Sequence, residues 1–302
     1  MPSSFTYRDR TAIVSGGAGD IGSTIVRRLH TEGMQVVIAD LDPVRIKILT
    51  EELGDRVLGV AGDLTLESEA KRLLEKTQQT FGGCDVLINN MAMTSTDRFH
   101  ERSVDSIKRE IDVVMLGPMI LTRLAVPYLQ KSQDPRVITM SSLGGITPLR
   151  ETPIYTTAKF GLRGAMLSFA LDEPLHGIKV SCVLPTATDT FMLRQEALEG
   201  GSVLNFIDDP QPISAVLDQV IRQLETPKLE RYPKTSDSLL ARFAMLFPNI
   251  LPRFLPLFEK KGRRGLKRYL ADLHKRGLIE EVDGKLRQKA RQHLRNTTAK
   301  KS

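Results

Sequence analysis

The sequence predicts an α/β fold: a doubly wound parallel sheet between two helical layers, with a helical extension at the C-terminal end. Three observations carry this. Short apolar runs alternate with amphipathic helical patterns at the spacing of strand–helix–strand units. The first run passes directly into a glycine-rich turn and then a helical pattern. The alternation stops near residue 233, and the chain beyond it turns basic. With 302 residues the chain can bury one large domain and carry an appendage, so the expected division is 1–233 and 234–302.

Thr11–Ser15 is a short strand of the buried type. Gly16 to Gly22 turns the chain, and Ile21, Ile25, Val26 and Leu29 then share one helical face. Glycines in such a turn let the backbone approach a pyrophosphate at the helix N-terminus. Gln35–Ala39 is a second strand, ending in Asp40 eighteen residues past Gly22. A carboxylate there can take both ribose hydroxyls and repels a 2′-phosphate, which places NAD ahead of NADP. The plainer reading of Asp40 is that it opens the next turn. Arg56–Val60 makes a third strand, leading to Asp63-Leu64-Thr65. Glu67–Phe81 has helical spacing, Val86–Asn90 is a fourth strand, and Ile107–Leu129 is helical. Val137–Met140 (strand), Tyr155–Leu171 (helix), Lys179–Leu184 (strand) and Ile213–Leu224 (helix, opened by Pro212) continue the pattern.

Chemistry concentrates after the Val137–Met140 strand. Tyr155 and Lys159 are four residues apart and therefore share a face of their helix. A phenol normally ionises near pH 10, and a fixed ammonium beside it favours the phenolate, so the pair can exchange a proton near neutrality. Ser142 follows the strand, where a hydroxyl can hold the oxygen that tyrosine serves. Taken alone the pair is equally an ordinary solvated helix pair.

In this order the motifs resemble the short-chain dehydrogenase/reductase family. Ser15-Gly16-Gly17-Ala18-Gly19-Asp20-Ile21-Gly22 is similar to its Thr-Gly-x-x-x-Gly-Ile-Gly cofactor loop, and Asn89-Asn90-Met91-Ala92 to its Asn-Asn-Ala-Gly. Asp63 falls where the family covers the adenine, and Ser142 lies thirteen residues before Tyr155 as the family's serine does. Pro185-Thr186-Ala187-Thr188-Asp189-Thr190 resembles Pro-Gly-x-Val-x-Thr, whose backbone and threonine hold the nicotinamide carboxamide. The resemblance runs from about Thr6 to Thr190, with weaker agreement to Tyr232.

It implies a Rossmann-type fold and hydride transfer between nicotinamide and a secondary alcohol or ketone. Tyr155 would be the general acid/base, Ser142 would polarise the substrate oxygen, and Lys159 would tune the phenol and bind the nicotinamide ribose. Gly16, Gly19, Asp20, Ile21, Gly22, Asp40, Asp63, Leu64, Asn90, Thr188 and Thr190, with Tyr155 and Lys159, would hold the dinucleotide. Many relatives are dimers or tetramers through the helices carrying Gly117 and Tyr155, so a homo-oligomer is expected.

Three positions depart from the pattern. Asp20 replaces the middle glycine and sets a carboxylate near the pyrophosphate, or else caps the helix with its side chain turned away. Val114 stands in Asp112–Gly117 where the family has an asparagine whose helix kink holds a water linking the lysine to solvent. Thr186 replaces a glycine. These departures keep a second reading open, a dinucleotide-binding sensor or scaffold with little turnover.

The segment after Thr190, about 190–212, is expected to form the substrate lid. Its Phe191, Met192, Leu193, Leu198, Val203, Leu204 and Phe206 suggest a lipophilic substrate, or else half of them pack on the sheet. The stretch Leu239–Phe258 is apolar but broken by Pro248, Pro252 and Pro256, and reads as two short amphipathic pieces rather than a spanning helix. A basic run, Lys260 to Arg264, and a helix-like Leu266–Leu273 follow. From Thr226 to Ser302 there are 20 Lys+Arg against 7 Asp+Glu, whereas 1–225 holds 23 against 29. A basic apolar tail suits an anionic membrane surface; the alternative is that it covers the active-site mouth or another subunit. Nucleic-acid binding is not expected, because no aromatic-basic or helix-turn-helix pattern accompanies the charge. Lys285–Ser302 is expected to fray.

Met1–Arg10 has no signal-peptide core, and Cys84 and Cys182 read as small buried hydrophobes, so a cytoplasmic protein is expected, with or without surface association. His30, His100, His176, His274 and His293 are scattered singly and no metal site is expected. Ser142 lacks the Gly-x-Ser-x-Gly elbow of a hydrolase.

Overall fold

The computed structural model describes residues 5–282 and 285–289. Seven parallel strands form one sheet: β1 (Thr11–Ser15), β2 (Gln35–Asp40), β3 (Val57–Ala61), β4 (Val86–Asn89), β5 (Arg136–Met140), β6 (Lys179–Val183) and β7 (Glu230–Arg231). Their order is β3-β2-β1-β4-β5-β6-β7, so the direction of winding reverses between β1 and β4. The register sets Ser15 between Ala39 and Asn89. That places the glycine turn at the topological switch point, where open α/β sheets bind ligands.

Successive side chains on a strand point to opposite faces, and both faces here are covered. Ile13, Val37, Leu87 and Val137 enter one core with Leu73, Leu121 and Leu162. Their neighbours Val14, Ile38, Ile88 and Ile138 enter the other with Ile25, Leu29 and Val220. This double burial is why the strands read as unbroken apolar runs.

The helices are α1 (Asp20–Thr31), α2 (Pro43–Leu53), α3 (Glu67–Phe81), α4 (Val104–Ile111), α5 (Gly117–Leu129), α6 (Pro153–Leu171), α7 (Glu173–His176), α8 (Phe191–Glu199), α9 (Ile213–Glu225), α10 (Thr235–Leu246) and α11 (Leu251–Lys275). Sequence periodicity does not mark α2, but Asp42 does: its carboxylate accepts from Val44 N and Arg45 N, with Pro43 at the first turn. The Ile107–Leu129 helix is not uniform. Residues Asp112–Leu116 form a π turn in which Gly117 N donates to Asp112 O, with Val114 fully buried at its centre. The widening therefore persists without the family's asparagine. Val104–Leu129 is long and apolar enough to cross a membrane by length and composition, yet α5 packs against α3, α6, β4 and β5 as a layer of the core.

Leu239–Phe258 is divided as expected, between α10 and the start of α11 at the turn Pro248–Ile250, but two expectations are corrected. The second piece is not short: it runs on through the basic stretch to Lys275 as one helix, with Pro252 in its first turn and Pro256 tolerated inside it. Lys285–Gln288 does not fray: as β9 it pairs antiparallel with β8 (Ile279–Val282). The remainder of the frayed-tail expectation, 290–302, lies outside the described residues. Gly262 and Gly265 bring α11 against the short turn Val203–Phe206, where a Cβ would stand 2.2 Å from Val203 O and 1.8 Å from Phe206 O respectively. Tyr269, Leu273 and Ile279 complete a small core with Leu193, Ala197 and Phe206. Cys84 and Cys182 are free and buried.

Candidate active site

A cleft of about 630 Å³ opens at the carboxyl ends of β1–β6. Residues from the glycine turn and from α6 line it together, Gly16, Gly19, Asp20 and Ile21 with Ser142, Tyr155 and Lys159.

Tyr155 and Lys159 project one turn apart from α6, whose first turn is fixed by Pro153. Lys159 is 2% exposed, and its Nζ donates to Met140 O at 2.7 Å, tying the helix to the end of β5. Ser142 is held extended just past β5, and its Oγ accepts from Gly144 N at 3.0 Å. That leaves the serine O–H to donate, and it does so to the Tyr155 oxygen. Gly144 lies against the ring, where a Cβ would sit 3.3 Å from Tyr155 Cε1.

The electrostatics correct the expected acidic phenol. Burial pushes Tyr155 up to about 12; the Ser142 hydrogen bond pulls it back only in part, and the charges of Glu196 and Glu110 push it further up. Lys159 Nζ sits 5.7 Å above the ring centroid, and its own burial lowers it to about 8. Removing an ammonium from water costs more here than its neighbours return. The phenol is consequently neutral at pH 7 and the lysine is charged but easily discharged.

The dinucleotide end is built from strand termini. Gly16 adopts φ +62°, and a Cβ there would approach Met91 Cα to 2.9 Å, so only glycine fits. Gly22 lies under the turn and does not line the cleft; a Cβ would reach Gly16 O at 2.1 Å. Asn90 Nδ2 donates to Gly16 O at 3.0 Å and braces the turn. Asp40 accepts from Ala18 N (2.9 Å) and Asp42 N (3.2 Å), so it both faces the cleft and ties two turns, as the plainer reading had it. Asp63 accepts from Thr65 N, Thr65 Oγ1 and Arg109, the last at 2.8 Å. Burial opposes its ionisation, but these hydrogen bonds outweigh it and hold the carboxyl below its usual range. Leu64, Thr188 and Thr190 also line the cleft. Thr188 Oγ1 donates to Thr186 O, and Thr190 Oγ1 caps α8 by accepting from Leu193 N at 3.3 Å.

Asp20 does not turn away. It opens α1, and its Oδ2 accepts from Phe191 N at 2.5 Å, joining the glycine turn to the first residue of the lid. Arg45 stands 3.9 Å from its other oxygen. Apart from this carboxylate, the residues fit a dinucleotide. The turn is stripped to glycine where a Cβ would collide, the α1 N-terminus faces open volume, and carboxylates stand at the ends of β2 and β3.

Among the cleft residues that carry no motif signal are Arg45, Arg109, Glu196 and Asn205. Arg109 meets Asp63 across 46 residues, a pairing no spacing rule connects. The signal that could have found Glu196 is a carboxylate among the apolar residues after Thr190. It lies on α8, accepts from Asn205 Nδ2 at 3.1 Å, and is pushed up to about 7 by burial, with Glu110 and Glu199 adding and Asn205 opposing. The lid's apolar residues largely face elsewhere. Leu198 and Phe206 pack in the core beneath α11; of the seven, Met192 and Leu193 line the main cleft, and Phe191 borders a shallower recess beside it.

With this geometry in view, the profile of the short chain dehydrogenase family matches residues 10–199. Similar curated proteins include the oxidoreductase YxjF of Bacillus subtilis (strain 168), 29% identical over 224 residues, 73% of this chain and 85% of that protein. L-fucose dehydrogenase of Mus musculus is 32% identical over 180 residues, 59% of this chain and 65% of that protein. Among solved structures, gox2181 superposes with a TM-score of 0.69 at 20% identity, covering 76% of this chain and 96% of that one. L-sorbose reductase from Gluconobacter frateurii, complexed with NADPH and L-sorbose, gives 0.68 at 20% identity with the same coverage.

Proposed function

Because the chain belongs to the short-chain dehydrogenase family, oxidoreductases of CH–OH groups, we propose that it moves a hydride between a nicotinamide dinucleotide and the carbon of a secondary alcohol or ketone. The observation that carries this is the convergence of Tyr155, Ser142 and Lys159 on one cleft with the glycine turn of α1. The cofactor, when bound, supplies the hydride chemistry. The chain supplies the proton and the position. Tyr155 Oη holds a proton at neutral pH and delivers it to a carbonyl oxygen in the reductive direction, and Ser142 O–H steadies that oxygen. Lys159 contributes positive charge beside both, which favours the oxyanion character that develops as the proton moves. NAD is placed first, because the Asp40 carboxylate ends β2; Arg45, on the same cleft, is the group that would meet a 2′-phosphate. A homo-oligomer through α5 and α6 accompanies this reading.

The substrate is inferred to carry further hydroxyls rather than a lipophilic body. Two polar side chains, Glu196 and Asn205, share the cleft with Tyr155, while Leu198 and Phe206 of the lid are turned into the core beneath α11 and only Met192 and Leu193 of its apolar residues line the cleft. The sugar substrates named for L-fucose dehydrogenase and L-sorbose reductase agree with a polar pocket. A nicotinamide-absorbance assay over sugars, polyols and apolar cyclic alcohols tests this. Turnover is expected with a polyhydroxylated substrate, and Glu196→Gln should raise its KM about tenfold by weakening a charged hydrogen bond. Turnover confined to apolar alcohols would overturn the substrate class while leaving hydride transfer intact.

A further inference from the structure

Outside the cleft, α10 and the first half of α11 carry a run of exposed apolar side chains. On α10, Leu239, Phe243 and Leu246 follow the i, i+4, i+7 spacing of one helical face. Phe247 meets Phe243 edge-on at 5.9 Å and continues the stripe to the corner. Ile250, Phe254 and Leu257 repeat the same spacing into α11. All seven are between 37% and 69% exposed. Folding leaves them in water, although α11 has ample apolar contact on its opposite side, where Gly262, Gly265 and Tyr269 seat the lid turn. Single exposed hydrophobic residues need no explanation, but seven within nineteen residues mark an interaction surface.

The charge around the stripe selects the partner. Extending Ile250, Phe254, Leu257 by further steps of four, three and four reaches Lys261, Arg264 and Arg268 on the same line of the helix. Arg253, Lys260 and Lys267 flank it, all exposed. Lys261 and Arg268 are matched by Asp208 and Asp209. Arg253, Lys260, Arg264 and Lys267 have no ion-pair partner among the described residues. A second copy of the chain seated on this face would bring two sets of these uncompensated cations into one interface. A sheet of anionic headgroups over an apolar interior meets both parts at once.

We propose that Leu239–Leu257, with the basic ladder that follows it on α11, docks this protein on the surface of an anionic phospholipid bilayer. The apolar side chains enter the acyl boundary and the cations lie at the phosphates, while the other face of the same helix holds the lid. Docking is peripheral, because the turn Pro248–Ile250 splits the segment into the end of α10 and the start of α11, and neither apolar part reaches a bilayer span.

Sedimentation of the full chain with vesicles tests this, using phosphatidylcholine alone or with about a third phosphatidylserine, at low and high salt. Binding to the serine-containing vesicles is expected, weakened about tenfold or more by high salt and by omission of the anionic lipid. Phe243→Glu/Phe254→Glu should lose that binding with an unchanged melting midpoint, since both side chains are already in water. Lys260→Gln/Arg264→Gln should weaken it severalfold. Failure of the wild type to bind anionic vesicles at low salt overturns the proposal. So does binding that survives the double phenylalanine variant, which would be charge attraction alone. A drop in molar mass of that variant by light scattering, without vesicle binding by the wild type, would assign the face to a second copy instead.

Discussion

Lys159 is a fully buried cation whose hydrogen bond to Met140 O does not repay its desolvation, and burial lowers its pKa from the ordinary lysine value to about 8. The linkage follows from that direction. Below pH 8 both folded and unfolded chains carry the proton and the folded state bears the full penalty. Between about 8 and the unfolded value near 10.5 only the unfolded chain keeps it, so stability rises with pH across that window. A depression of this size corresponds to roughly 3 kcal/mol of net penalty, and removing the ammonium also leaves Met140 O without its donor, at a cost of about 1–3 kcal/mol. Lys159→Met should therefore leave the melting midpoint at pH 7 unchanged or a few degrees higher while nearly abolishing turnover, and any gain should shrink above pH 8. A large loss of stability would show that the lysine serves the fold rather than the site. The positions of Tyr155, Lys159 and Ser142 were legible because two fixed spacings, four and thirteen residues, carry them. Their proton affinities were not. These depend on burial and on Glu110 and Glu196, which the fold brings from distant segments.

At the scale of elements, two joints hold the segments that border the cleft. The α1 N-terminus is bound to the α8 N-terminus through Asp20 and Phe191, a carboxylate set where a pyrophosphate would otherwise meet free amides. Asp20→Gly should tighten dinucleotide binding by about tenfold, read as a larger thermal shift with NAD, because it removes like-charge repulsion worth about 1–2 kcal/mol near a helix terminus. An unchanged shift would mean that the carboxylate stays outside the phosphate path. The second joint is α11 against Val203–Phe206, made possible by Gly262 and Gly265. Strands and most helices were legible from periodicity, since a doubly covered sheet demands unbroken apolar runs. The α11 joint was not, because two glycines in a basic run look like linker chemistry until a backbone is placed against them. The π turn at Asp112–Leu116 was equally hidden: Val114 replaces the residue that would have announced it.

Across the whole molecule, the mildly acidic sheet domain and the basic extension meet at the lid. Asp189, just past β6, accepts from Arg194 on α8, from Tyr269 on α11 and from Arg276 beyond it. Burial opposes its ionisation, yet these three donors hold its carboxyl below the usual range. The extension thus buttresses α8, which lines the cleft, whereas the charge asymmetry of the sequence signalled only a partner surface. The central claim is that Tyr155 is the proton donor of a nicotinamide-dependent oxidoreductase, and the decisive measurement is the turnover of Tyr155→Phe by nicotinamide absorbance, with thermal shift reporting dinucleotide binding in parallel. Losing the phenol should lower turnover by about 10²–10⁴-fold with the NAD-induced shift unchanged; a variant that turns over at the wild-type rate would contradict the assignment.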